Sequence, residues 1–186
     1  MLVRDAVAMF AGSGLEALGP MIWADLGCGD GTFTIALADV LAPRSIIHAI
    51  DRNRSALTRI PSHRHDVRIH THLGDFIEPW PFGSVDGILM ANSLHYVANQ
   101  EAFVRSSESQ MTSPRRILIV EYDTDKANPW VPNPVSRSRL AELFSGYSFR
   151  SLGSRPSRYH RAPLYAELME SAPVVPRPSE THGSHR

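Results

Sequence analysis

The sequence predicts an α/β protein built on a doubly wound, mostly parallel sheet, and three observations carry that reading. Five apolar runs of strand length alternate with helical patterns between positions 21 and 122. The first two runs end on acids, Asp25 and Asp51. Glycines at alternate positions, Gly27, Gly29 and Gly31, follow the first run, and Thr32 then opens a helical pattern. Strands that alternate with helices pair in parallel through right-handed crossovers. At 186 residues the chain suits one domain with a sizeable core, expected to span residues 1–170.

Composition bounds the function. A hydrophobic content of 42% and a charged content of 20% are those of a soluble globular protein. Lys plus Arg equals Asp plus Glu at 19 each, so no general basic field draws nucleic acid, although a local patch stays open. The single cysteine, Cys28, excludes an internal disulfide and fits a reducing compartment. No apolar run reaches membrane-spanning length, and the first residues lack the order of a signal peptide. A cytoplasmic protein without a membrane partner is expected.

Each element has its own reason. Residues 2–18 read as a helix, with Leu2, Val3, Ala6, Val7, Phe10, Leu15 and Leu18 at mixed helical spacing and Gly12 and Gly14 interrupting it. The first strand covers 21–26, and the helix behind it buries Phe33, Ile35, Ala36, Leu37, Val40 and Leu41 before Pro43 closes it. A second strand over 45–50 finishes on Asp51, and a short helix follows over 55–60. The third strand, 67–73, runs into Gly74-Asp75-Phe76. A turn through Pro81 and Gly83 leads to the fourth strand at 85–91, which Asp86 begins at the end away from the glycine turn. Positions 99–111 are helical, and 115–122 make a fifth strand that is apolar on both faces.

Beyond Asp123 the rhythm changes. A proline-rich loop over 128–134 precedes a helix at 136–144, a strand at 147–154 and a last element across 159–169. Leu164, Ala166 and Leu168 alternate as in a strand, while Ala-Glu-Leu-Met is also helix-friendly. From Ser171 onward Pro, Ser, His and Arg dominate, which predicts a disordered tail over 171–186.

The chemistry gathers at the glycine turn. Alternate glycines permit φ > 0 and leave no Cβ between the backbone and a ligand. The helix behind them aims unpaired N–H groups at that ligand. A dinucleotide fold would place its third glycine at position 32, where this chain has Thr32. The run Asp25-Leu-Gly27-Cys28-Gly29-Asp-Gly31 instead resembles the acid-x-G-x-G-x-G loop of the class I methyltransferases that use S-adenosylmethionine. Three further stretches share the resemblance in order: Asp51, then Gly74-Asp75-Phe76, then the segment from Pro81 through Asp86, Ala91, Asn92 and His95. Together they cover roughly positions 20 to 125.

The resemblance implies a three-layer, seven-stranded sheet of order 3-2-1-4-5-7-6 with the last strand antiparallel. It also implies S-adenosylmethionine as cosubstrate and S-adenosylhomocysteine as product; members of the family often use N-terminal helices as a lid, and the short segment before the first strand here is expected to give only a minimal one. Asp25 would orient the loop and approach the methionine ammonium, and Gly27, Cys28, Gly29 and Gly31 would line the cosubstrate. Asp51 would accept both ribose hydroxyls, as nucleotide-binding α/β folds arrange it, with Arg52 flanking the adenine. Asp75 and Phe76 would hold the adenine edge and face, and Ala91 and Asn92 would sit beside the methionine and its methyl.

Plainer readings stand beside these. Asp51 also reads as a helix cap, Asp75 as a turn residue, and Phe76 and Trp80 as packing. Cys28 reads as a small loop residue, since no paired base accompanies it. His63, His65, His70 and His72 among Arg59, Arg64 and Arg68 read as a solvated strand face, and no metal is expected. His95 reads either as a general base at the pocket rim or as a packing residue.

Methyl transfer from a sulfonium is an in-line displacement, so alignment is the main demand and a base is needed only for a protonated nucleophile. No Asn-Pro-Pro-Tyr or Asp-Pro-Pro-Tyr follows the fourth strand, which disfavours base-amine and glutamine acceptors. A small-molecule acceptor is expected over strands four and five, framed by 93–97 and 122–135 with Trp130 as a wall or as packing. The rival readings are a cosubstrate-binding protein without its own catalysis that serves a partner subunit, and an RNA methyltransferase using the basic patch at 59–72. A homodimer would also supply a missing lid.

Overall fold

The computed structural model describes residues 1–157 and 161–173. The tail expected over 171–186 lies, beyond position 173, outside the described residues, as do positions 158–160. Five helices, α1 (Val3–Phe10), α2 (Thr32–Ala38), α3 (Arg54–Leu57), α4 (Gln100–Glu108) and α5 (Arg137–Leu143), accompany eight strands among these residues. The strands are β1 (Ile22–Leu26), β2 (Ile46–Asp51), β3 (His63–Arg64), β4 (Val67–Leu73), β5 (Val85–Ala91), β6 (Met111–Tyr122), β7 (Tyr147–Arg155) and β8 (Leu164–Ser171).

They form one sheet of order β3-β4-β2-β1-β5-β6-β8-β7. Pairings from β4 through β6 are parallel, whereas β8 is antiparallel to both β6 and β7. This is the expected order with one strand more than the seven expected. The extra strand, β3, has two residues paired antiparallel to the start of β4, too short to carry an alternation pattern. The first helix is also shorter than expected, because Gly12 and Gly14 both take φ > 0 and only a turn of 3-10 helix, Leu15–Ala17, follows them. The last element is a strand, as the alternation of Leu164, Ala166 and Leu168 implied, and it begins five residues after the expected start.

Alternation along each strand divides the core into two layers. Leu118, Val120, Leu164, Ala166 and Leu168 face α1 and α2, packing with Ala6, Phe10, Leu37 and Trp23. Ile117, Ile119, Tyr165 and Met169 face the other way, onto Phe103 and Val104 of α4 and Leu140 of α5. Burying both faces fits the continuous apolar runs of the central strands. Asp86 is structural: its carboxylate accepts the Ile22 N–H at 2.8 Å and fastens the start of β5 to β1. Among the described residues, no helix is long and apolar enough to cross a membrane.

One sheet region lacks a helix over it, and a loop does that work. Phe82 stacks on His48 of β2, with ring centroids 4.4 Å apart and planes 6° apart, and Trp80 stacks on Phe82 in turn. His48 Nδ1 and His72 Nε2 share a hydrogen bond of 3.0 Å, and His70 stacks against His48 with centroids 5.5 Å apart. Among the described residues no group of three or more His, Cys, Asp or Glu is arranged to hold a metal. Burial first, then His72 and His70, push the His48 imidazole down to about 4. A base with a depressed native pKa contributes stability that is whole above its unfolded value near 6.5 and is lost as pH falls toward 4. Melting temperature should therefore drop between pH 6.5 and 4 more steeply for the native protein than for His48→Phe, which keeps the stack on Phe82. Parallel slopes for the two would refute this.

Candidate active site

The glycine turn grows out of the end of β1. Gly27 and Cys28 both donate their N–H groups to the Ile50 carbonyl, at 2.9 and 3.1 Å, which ties the turn to β2. Gly27, Gly29 and Gly31 have φ of 82°, 55° and 84°, the left-handed region where a side chain is strained. Gly31 serves as the N-cap of α2. A Cβ on Gly27 would lie 2.7 Å from Ser93 Cβ, so the turn passes hard against the end of β5. Gly29 is different: nothing stands within 4 Å of where its Cβ would be, which leaves an open cradle on that side.

Two acids brace this turn from opposite sides. Asp25 is buried beneath it and accepts the Thr34 hydroxyl at 2.6 Å, while its Oδ1 has no partner. Burial pushes its carboxyl up to about 7, against the Thr34 hydrogen bond and with the nearby Asp51 adding to the rise. Asp51, at the end of β2, accepts the Gly29 N–H and the Asn53 N–H, each at 2.8 Å. The helix cap beyond it is Asn53, whose side chain accepts from Ala56 N. Arg52 pairs with Asp75 at 3.3 Å, and Asp75 also accepts the Ile77 N–H at 3.2 Å. Phe76 packs edge-on against Phe103, and its carbonyl accepts the Trp80 indole N–H.

A cleft of about 580 Å³ opens on the turn. It brings together Gly27, Cys28, Gly29, Ala91 and Asn92, five of the residues singled out in the sequence. Asn92 is itself left-handed, with φ 55°, and its buried Oδ1 has no partner. Asp25 lies under this cleft, and Asp51, Arg52, Asp75 and Phe76 flank the turn without lining it. Burial, with Asp25 and Asp51 nearby, drives the Cys28 thiol far up, so it stays a neutral wall residue.

Apart from Tyr122, which opens the loop expected to frame the acceptor, the remaining walls come from residues the sequence reading did not select. Leu2 and Asp5 of the N-terminal segment, Phe33, Tyr122, Arg155 and Leu164 complete the cleft. Asp5 and Arg155 form an ion pair at 3.3 Å that fastens α1 to the end of β7. Their separation along the chain leaves no local pattern to read. Trp130 does not line this cleft and is 80% exposed, so the opening is framed by α1 and β7 in place of the proline-rich loop.

His95 lies elsewhere. It sits in a 3-10 turn, Leu94–Tyr96, and is buried beside the second core layer. Its Nδ1 meets Glu121 Oε2 at 2.7 Å, and its backbone N–H donates to Glu121 Oε1 at 3.2 Å. Its carbonyl accepts from both the backbone and side-chain N–H of Asn133. Sequence reasoning missed Glu121, although an acid closing the run Ile117–Val120 repeats the signal that singled out Asp25 and Asp51.

The sheet order and a glycine turn at the carboxyl end of β1 define a nucleotide-binding α/β fold of the methyltransferase kind. A family model for the methyltransferase domain (Methyltransf_31) matches residues 21–151, and the chain belongs to that family of class I, S-adenosylmethionine-dependent methyltransferases. Solved structures share the fold at low identity. A 1,6-didemethyltoxoflavin-N1-methyltransferase from Burkholderia thailandensis, with its acceptor and S-adenosylhomocysteine bound, is 18% identical at a TM-score of 0.65, covering 91% of this chain and 77% of that one. The magnesium protoporphyrin IX methyltransferase of Synechocystis PCC 6803 with bound SAM is 15% identical at a TM-score of 0.64, covering 91% and 78%. A plantazolicin methyltransferase in complex with SAH is 13% identical at a TM-score of 0.61, covering 91% and 84%. No curated protein matches the chain.

Proposed function

We propose that this protein transfers a methyl group from S-adenosylmethionine to a small-molecule acceptor, with the donor seated on the glycine turn. The observation that carries this reading is the open cradle at Gly29, bounded by Asp51 and facing the 580 Å³ cleft. The residues suit the donor. Asp25 Oδ1 and Asn92 Oδ1 are buried oxygens without partners at the ends of neighbouring strands, which suits the donor's ammonium. A cation there would draw the proton from Asp25, whose carboxyl is otherwise held near neutrality. Asp51 already spends one lone pair of each oxygen, on Gly29 and on Asn53, and would use the remaining ones for the ribose hydroxyls. Arg52, Asp75 and Phe76 would flank the adenine beyond it, and Gly27, Cys28, Gly31 and Ala91 would shape the path between.

When bound, the donor supplies an electrophilic methyl on a positively charged sulfur. The protein's task is to hold that methyl in line with the incoming nucleophile. Leu2, Phe33, Tyr122 and Leu164 give the cleft an apolar side, which suits an apolar or planar acceptor. The didemethyltoxoflavin and magnesium protoporphyrin named for two fold neighbours are acceptors of that kind. An RNA acceptor is less well supported, because Arg64 and His65 of the basic patch both engage Asp39. The reading calls for neither nucleic acid nor membrane as partner.

Calorimetric titration with S-adenosylmethionine and S-adenosylhomocysteine tests the donor site. Both should bind, and Asp51→Ala should weaken each by about 1.5–3 kcal/mol, roughly ten- to a hundredfold, as befits hydrogen bonds to a charged group. Absence of binding by the native protein would overturn the reading.

A further inference from the structure

We propose that Arg155 anchors the acceptor: the acceptor is an apolar molecule bearing a carboxylate, which Arg155 receives from a second cavity between α1 and the end of β7. The proposal rests on the donor reading above and deepens it by naming the acceptor class. The second cavity measures about 570 Å³ and borders the cleft, with Asp5, Arg155, Pro156 and Ser157 lining both. Its remaining walls come from α1, where Ala8 is exposed, and from β7, where nothing stands within 4 Å of a Cβ added to Gly153. A cleft of about 580 Å³ is the size of a site for one ligand, and here donor and acceptor must share it. The second cavity supplies the missing room.

Arg155 is the one cationic side chain that lines either space. Its place there depends on a β-bulge. From Tyr147 to Ser151 the register of β7 on β8 is regular, and between Ser151 and Gly153 it slips by one residue. Opposed residues of a pair share a face, so the slip sets Arg155 with Leu164 on the side of α1. An uninterrupted register would have put Ser154 on that face and turned Arg155 to the other. Bulges beside active sites re-aim side chains in this way.

The partner of Arg155 is easily displaced. Asp5 meets Arg155 Nη1 at 3.3 Å, longer than charge-assisted hydrogen bonds usually are, about 2.7–2.9 Å. The two side chains are 32% and 35% exposed, and ion pairs of such exposure contribute little to stability. An incoming carboxylate can instead take the guanidinium with two parallel hydrogen bonds. One guanidinium beside one acid suits a single negative charge, whereas a phosphate, at about −1.5 to −2, would be repelled by Asp5. With its carboxylate held at Arg155, the acceptor lays its apolar part along Leu2, Tyr122 and Leu164 in the cleft. The donor's own carboxylate is the rival guest of Arg155, and donor affinity separates the two.

The test titrates the protein, loaded with S-adenosylhomocysteine, with naphthylalkanoates of graded chain length and with the neutral carboxamide of each. The best acid should bind roughly ten- to a hundredfold tighter than its carboxamide, as befits hydrogen bonds to a charged group. Arg155→Met should erase that preference and leave S-adenosylhomocysteine affinity near native, and Arg155→Lys should keep part of it, having the charge without the fork. Asp5→Asn should tighten the acid, a gain that no misfolded variant could give. Ala8→Phe, in the second cavity but outside the cleft, should weaken the acids and spare the donor. Acids that bind no better than their carboxamides, a preference that outlives Arg155→Met, or native acid affinity in Ala8→Phe would overturn the proposal and leave the donor site standing. A tenfold loss of S-adenosylhomocysteine affinity in Arg155→Met would assign Arg155 to the donor's carboxylate and overturn it as well. Failure of the native protein to bind S-adenosylhomocysteine is a separate result, which overturns the donor reading and this proposal with it.

Discussion

Gly27→Val should abolish donor binding and destabilise the fold by about 2–5 kcal/mol. Part of that is backbone strain: φ at Gly27 is 82°, and a left-handed conformation costs an ordinary residue about 1–2 kcal/mol. The rest is crowding, typically about 1–3 kcal/mol for an overpacked site. The new Cβ would lie 2.7 Å from Ser93 Cβ and 3.2 Å from the Phe76 ring. Ser93 cannot withdraw freely, because its hydroxyl donates to the Leu26 carbonyl at 2.6 Å and so fastens β5 to β1. The turn would have to lift, and the cleft with it. Gly29→Ala is the control, since its Cβ meets nothing within 4 Å and only the donor contests that space. At φ 55° it carries the same left-handed strain, about 1–2 kcal/mol, without the crowding, so it should lose donor affinity with a smaller fall in melting temperature than Gly27→Val. Calorimetry on both variants decides, and a Gly27→Val protein that melts and binds like the native one would refute the account.

Gly87→Ala should destabilise the sheet from its centre. Gly87 faces Trp23 in register on the neighbouring strand, and the fully buried indole lies over the place a side chain would take. An added Cβ would come within 2.5 Å of the indole Cε2. Overpacking of this kind costs about 1–3 kcal/mol, and a rigid ring flanked by core leaves little room to relax. The diagnostic is the double variant. Trp23→Phe alone should be destabilising because it leaves a void, yet with Gly87→Ala the two costs should fall short of their sum by about 0.5–3 kcal/mol. Strict additivity in denaturant unfolding would show that the indole is not what excludes the methyl.

How far the sequence could be read depended on the range of the contacts involved. β4 and β5 begin and end at the expected residues, β5 because it is a nearly continuous buried apolar run and β4 because Val67 and Ile69 alternate with polar residues up to the turn at Gly74. The glycine turn was legible for the same local reason, as were Asp25 and Asp51 at strand ends. β6 starts four residues earlier than expected: Val85 pairs with Met111, and the register then shifts before Gly87 meets Arg116. Thr, Ser, Pro and Arg in that stretch hide it as a loop. Arg155 at the cleft was out of reach for another reason, and Glu121, though it closes an apolar run as Asp25 does, gave no sign of its pairing with His95. Their partners, Asp5 and His95, lie far away along the chain, and only the folded sheet brings them together.

The sheet order also has a consequence for how this protein is made. β8, the last strand among the described residues, lies between β6 and β7. Until it has left the ribosome, β7 has no neighbour to pair with, and the β6 edge stays open to other chains. The β7–β8 hairpin must form and then slot against β6, a late and non-local step. α1 is synthesised first, yet it packs against both strands of that hairpin, and its Asp5 waits for Arg155. The cleft is thus closed by the first and the last of the described elements. A nascent protein halted before Tyr147 would hold a finished glycine turn without the wall that Arg155 and Leu164 supply.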